Sequence, residues 1–213
     1  MIDPSSSRIV LVRHGQARTP GAAYGPDTPL TPLGERQAEV TAKAIVDAFT
    51  PVEVYASPLP RAVQTAQPLC RWLDRAPRID ARLAELEMVP WEPAAPQPDL
   101  VIWEAHHRGA PEGETLADFA ARTAAWVEEV CERHAGECVV AYTHSGTIDA
   151  IARWAVGLPT DSPWTHDLPL YTASVTELVI WPRGRAEGGA PRHVSFVRVG
   201  DVAHLAPSLR EGS

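Results

Sequence analysis

The chain has few cysteines, no long apolar run and no cluster of positive charge, and each shortage removes a class of function. Its three cysteines, Cys70, Cys131 and Cys138, are odd in number and lack metal-ligand spacing. They read as free thiols filling a core rather than as a disulfide framework. The N-terminal stretch MIDPSSSR holds no apolar segment of the signal-peptide kind, and no later segment carries the roughly 18 uninterrupted apolar residues of a membrane span. A soluble, cytoplasmic protein is the expectation. No run of Lys or Arg occurs and the formal net charge is −8, so neither nucleic acid nor a membrane surface is an expected partner. Internal repeats, low-complexity linkers and oligomer-dictating heptads are also missing. What remains is a chain of 213 residues, 45% of them hydrophobic, enough for the core of one α/β domain spanning residues 1–213.

The pattern of elements alternates. Ile9 to Val12 is a short aliphatic run with β-branched residues, the mark of an interior strand, and it ends abruptly in Arg13, His14 and Gly15. Thr31 to Phe49 has a capping threonine, a proline at the first helical position and apolar residues at helical spacing. VEVYAS follows as a strand, then SPLPRAVQTAQPLCRWL as a helix opened by serine and proline, with Pro68 an expected kink or stop. Val89 to Pro111 is rich in Pro and Trp and lacks a period, apart from one short helix expected near Val101 to His107; this segment is a candidate roof over a site. Thr115 to His134 is an amphipathic helix. Val139 to Tyr142 is a second aliphatic strand, and it runs into Thr143, His144, Ser145 and Gly146 before a helix closed by Gly157. SVTELVIWP and HVSFVRVG flank a turn-rich stretch and read as a hairpin. The sum is a three-layer α/β/α sandwich, with a mostly parallel central sheet and helices on both faces.

Two strand ends thus deliver histidines, His14 and His144, and the helix after the strand VEVYAS delivers Arg61 in its first turns. In open α/β sheets, ligands bind in the crevice outside the carboxyl ends of the strands. Helix N-termini favour anions there, and Arg13 and Arg61 add guanidinium forks suited to phosphate oxygens. A neutral imidazole can attack phosphorus and form a phosphohistidine; flanking arginines would help keep His14 neutral. The departing oxygen must be protonated, and a carboxylic acid beside the pocket is the usual donor. In DARLAELEMVPWE, both Glu85 and Glu87 are candidates. Gln16 and Ser145 are further candidates for phosphate binding, while Thr31 reads as a helix cap. His106 and His107, adjacent and without other ligands at zinc spacing, read as exposed loop residues.

Taken together, LVRHGQA, LTPLGERQA, YASPLPRAVQTA, LAELE, PEGETL, YTHSGTI, SVTEL and GDVAHL resemble the histidine phosphatase superfamily, also called phosphoglycerate mutase-like, over most of the chain and in that family's order. The resemblance implies that His14 is the phosphorylated nucleophile, that Arg13, Arg61 and His144 bind the phosphoryl oxygens, and that Glu85, at the L-x-E position, is the proton donor. It also implies a phosphorylated small-molecule substrate and neither metal nor organic cofactor. A phosphomonoesterase of the histidine acid phosphatase type is the expected enzyme.

The chain departs from the mutase members of that family. Those carry a tyrosine three residues after the acid, then a lysine and two adjacent arginines; here Met88 occupies the first position and Arg108 stands alone. Pro20 replaces an asparagine common six residues after the nucleophile. These departures count against a mutase; the readings that compete with a metal-independent hydrolase are a phosphoglycerate mutase, a silent protein that binds phosphorylated ligands, and a zinc hydrolase using His14 and His144.

Overall fold

A computed structural model describes residues 5–17, 25–86, 114–165, 168, 170–182 and 192–210. The expected roof over 89–111, its short helix, and Pro20, Glu87, Met88, His106, His107 and Arg108 lie outside the described residues.

The first strand, β1 (Ser7–Arg13), is the interior strand that its composition predicts, with Ile9, Val10, Leu11 and Val12 all fully buried. Burying each such side chain contributes about 1.5–3 kcal/mol. Then come α1 (Pro32–Ala48), β2 (Glu53–Ala56), α2 (Pro60–Trp72), β3 (Arg78–Ile79), a 3-10 turn at Ala81–Leu83, α3 (Leu116–Arg133), β4 (Cys138–Thr143), α4 (Ser145–Ala155), β5 (Val175–Ile180) and β6 (Val194–Asp201). The six strands form one sheet in the order β3-β2-β4-β1-β5-β6. β1, β2, β3 and β4 are parallel, whereas β5 runs antiparallel to β1, and β6 antiparallel to β5.

Alternation along the strands divides the core in two. Ile9, Leu11, Val139 and Ala141 pack with Trp126, Val127 and Val130 of α3 and Ile148 and Ile151 of α4. Val10, Val12, Val54 and Val140 pack with Ala42 and Ile45 of α1 and Ala66 and Leu69 of α2. Helices therefore cover both faces of the sheet, the three-layer arrangement that the sequence predicts.

Local signals fix most boundaries. Thr31 caps α1 by accepting from Gly34 N–H at 3.1 Å, and Thr115 caps α3 by accepting from Asp118 N–H at 3.1 Å. Gly157, at φ +76°, follows the last turn of α4. One expectation fails in α2. The helix starts at Pro60, not at the serine and proline of SPLP, and Leu59 rather than Ser57 is its capping residue. It runs through Pro68 to Trp72 without stopping there, and Pro68 sits on a buried face with Thr65, Ala66, Leu69 and Cys70. Tertiary packing of that face outweighs a proline cost of ~3 kcal/mol. No helix among the described residues is long and apolar enough to cross a membrane.

Candidate active site

β1 and β4 are adjacent and parallel, with Arg13 opposite Thr143. The next residue on each strand is a histidine, so the register alone sets His14 beside His144. The backbone continues the ladder one step, His14 N–H donating to Thr143 O at 2.9 Å. The two imidazoles meet edge-on with centroids 5.1 Å apart, and both are buried.

His14 Nδ1 lies 2.7 Å from Gly15 O. A carbonyl only accepts, so Nδ1 carries the proton and Nε2 keeps its lone pair. Burial lowers the His14 pKa to about 3, helped by the positive charges of Arg61 and Arg13 and opposed by the Gly15 bond. The imidazole is neutral near pH 7. His144 is likewise held well below its ordinary value, first by burial and then by the neighbouring His14, Arg61 and Arg13.

The loop carrying His14 is built from close contacts. A β-carbon on Gly15 would lie 2.6 Å from Gly34 O, and one on Gly34 would lie 2.1 Å from Gln16 O, so the start of α1 packs directly on the loop backbone. Gly15 N–H donates to Thr65 Oγ1 at 3.0 Å, and Gln16 N–H donates to Gln37 Oε1 at 2.7 Å. Gln37 is fully buried and spends its amide N–H groups on Thr172 Oγ1 at 3.0 Å and Leu209 O at 2.7 Å.

Arg61, in the first turn of α2, is 4% exposed, unlike the surface arginine its position would also allow. Its Nη1 donates to Gly25 O at 3.3 Å and Pro26 O at 3.2 Å. Arg13 donates to Leu170 O. Glu85 follows the 3-10 turn and extends to the start of α4, accepting from Gly146 N–H at 3.2 Å and Leu86 N–H at 3.0 Å. Burial raises its pKa against those two bonds and the charges of Arg61 and Arg13. Arg122 of α3 holds the backbone beneath, donating to Arg82 O, Ala84 O and Glu85 O at 2.7, 2.9 and 3.2 Å.

Arg13, His14, Arg61, Glu85 and His144 thus come to one place at the carboxyl end of the sheet. Ser145 begins α4 beside them. Gln16 directs its Oε1 to Thr31 Oγ1, 2.6 Å away, so that side chain already has a protein partner. Among the described residues, no three His, Cys, Asp or Glu side chains group closely enough to hold a metal ion.

The sequence pattern of the histidine phosphatase superfamily (branch 1) matches residues 9–187. The chain belongs to this superfamily. A glucosyl-3-phosphoglycerate phosphatase of Mycolicibacterium vanbaalenii is 31% identical over 205 residues, covering 86% of this chain and 88% of that protein. The metal-independent phosphoserine phosphatase of Arabidopsis thaliana is 29% identical over 164 residues, covering 70% and 69%. A solved mycobacterial hydrolase superposes with a TM-score of 0.75 at 26% identity, covering 96% of this chain and 94% of its own. This member of the histidine phosphatase superfamily therefore has phosphatases among its relatives, on the same fold.

Four contributors to the site carry little sequence signal. Ser57 reads as a helix cap, yet its Oγ lies 2.8 Å from His144 Nε2. Gln37 and Thr65 look like ordinary helix residues, although both stand inside the motifs LTPLGERQA and YASPLPRAVQTA. Arg122 has no local pattern to distinguish it from any other charged helix residue.

Proposed function

We propose that the chain is a metal-independent phosphomonoesterase that works through a phosphohistidine on His14. The observation that carries this reading is the Gly15 bond to His14 Nδ1, which leaves Nε2 as a neutral nucleophile among two arginines and a second imidazole. In the first half-reaction Nε2 attacks phosphorus, the N–P bond forms, and the ester P–O bond breaks. Glu85, whose raised pKa keeps a proton available, gives that proton to the leaving oxygen. In the second, the Glu85 carboxylate takes a proton from water as its oxygen attacks phosphorus; the N–P bond breaks, releasing inorganic phosphate and restoring His14 and Glu85.

Arg13 and Arg61 supply fixed positive charge, and together with the neutral His144 they supply hydrogen-bond donors, where charge accumulates on the transferring group. Ser145, at the first turn of α4, adds the backbone donors of a helix N-terminus. The substrate class is a small-molecule phosphomonoester, supported by the substrates for which the bacterial and plant relatives are named. Release of phosphate from p-nitrophenyl phosphate in excess chelator, compared between the parent and His14→Ala, tests the reading. Chelator-resistant turnover that disappears in the variant is expected. Turnover that needs a metal, or that survives in His14→Ala, contradicts it.

A further inference from the structure

The two imidazoles of the site differ in which nitrogen is engaged by the protein. His14 is held through Nδ1. His144 is held through Nε2, which lies 2.8 Å from Ser57 Oγ. Its Nδ1 is buried and has no hydrogen-bond partner among the described residues. Ser57 itself is fully buried, in the loop between β2 and α2.

The role of Ser57 Oγ follows from its other contact. It accepts from Leu59 N–H at 3.3 Å, and the Ser57 backbone N–H is taken by Tyr142 O at 2.9 Å. Among the described residues the hydroxyl proton then has one acceptor within reach, His144 Nε2. Were Nε2–H to donate to Ser57 instead, both the buried hydroxyl proton and the buried Nδ1 lone pair would lack a partner among the described residues, one more unmet group than in the Nδ1–H form, and each buried polar group left unmade costs its desolvation.

We propose that Ser57 fixes His144 in its Nδ1–H tautomer, so that a neutral imidazole donates Nδ1–H to an oxygen of the transferring phosphoryl group. The assignment of the acceptor rests on the phosphatase reading; the tautomer does not. Ser57 is a positioning residue, acting through His144 as outer-shell partners act on histidines elsewhere. The site then offers two neutral imidazoles with opposite faces, a lone pair at His14 Nε2 and a proton at His144 Nδ1. Attack and charge stabilisation are divided between them by one backbone carbonyl and one serine hydroxyl.

The test is the pattern of imidazole nitrogen shifts in the full chain labelled with nitrogen-15 histidine at neutral pH, with His144 identified by the signals lost in His144→Gln. The expected spectrum has a pyrrole-type Nδ1 and a pyridine-type Nε2 for His144. A pyridine-type Nδ1, or a doubly protonated ring, overturns the proposal whether or not the protein turns over substrate. Ser57→Ala should mix the two tautomers and lower kcat on p-nitrophenyl phosphate about 10- to 100-fold with little change in melting temperature. If Ser57→Ala keeps the Nδ1–H pattern and parental kcat, Ser57 has no such role. Should that variant fail to fold, Ser57→Cys, close in size and a weaker donor, takes its place with an intermediate effect expected. A parent with the Nδ1–H pattern but no turnover would sink the phosphatase reading and leave the tautomer standing.

Discussion

The carboxylate of Glu85 and the backbone of Gly146 are in contact: Gly146 N–H donates to Glu85 Oε2 at 3.2 Å, and a β-carbon on residue 146 would stand 2.4 Å from Glu85 Oε1. The absence of a side chain at the start of α4 is what lets the acid sit there.

Gly146→Ala should therefore displace the carboxylate while leaving the helix intact, since alanine favours helix over glycine by roughly 0.5–1 kcal/mol. A displacement of about 1 Å in a catalytic group can cost ~10²-fold in rate. The expected outcome is a fall of about that size in kcat/KM, larger for alkyl phosphates than for p-nitrophenyl phosphate, whose leaving group needs less protonation. Steady-state kinetics on both substrates, with a thermal melt as control, measures it. Equal losses on the two substrates would argue against Glu85 as the proton donor.

The buried histidines make stability depend on pH with a definite sign. In the unfolded chain His14 takes a proton near 6.5, but in the fold only near pH 3. Its contribution is whole above pH 6.5 and is lost as pH falls through the window from 6.5 to about 3, at up to about 1.4 kcal/mol per pH unit. His144 works in the same direction. Glu85, raised from 4.5, works oppositely, its contribution present at low pH and lost as pH rises through its folded value. Comparing the parent with His14→Asn isolates one term. Between pH 6.5 and 5 the parent should lose about 1.6 kcal/mol more than the variant in urea unfolding; equal losses would mean that His14 is protonated in the fold.

Much of this arrangement is legible in the residues. The aliphatic runs ending in Arg13-His14-Gly15 and Thr143-His144 mark strand ends, and the caps Thr31 and Thr115 mark α1 and α3, because those signals are local. The antiparallel placement of β5 beside β1 is not, since strand order depends on contacts between residues far apart in the chain. β3, only two residues long, has too little pattern to read. Ser57 illustrates a competition: serine before proline suggests a helix start, yet its hydroxyl is drawn to His144, and the helix opens at Pro60 instead.

Gln37 links three separate parts of the chain behind the nucleophile loop, through Gln16 N–H, Thr172 Oγ1 and Leu209 O. Gln37→Met keeps the volume and removes every one of these bonds. Leaving the loop amide and its companions unpaired in the core should cost about 2–4 kcal/mol, read as a lower urea midpoint. Because Gln16 is two residues from His14, kcat should fall as well. A variant with parental stability would mean that the loop does not depend on this amide.

The most direct test of the account is to find the phosphoryl group on the enzyme. Mixing the parent with excess p-nitrophenyl phosphate, quenching rapidly under alkaline conditions and mapping peptides by mass spectrometry should reveal one phosphoryl group on His14, labile to acid and absent from His14→Ala. Modification of any other residue, or turnover with no phosphorylated His14 at the earliest times, would contradict the phosphohistidine route.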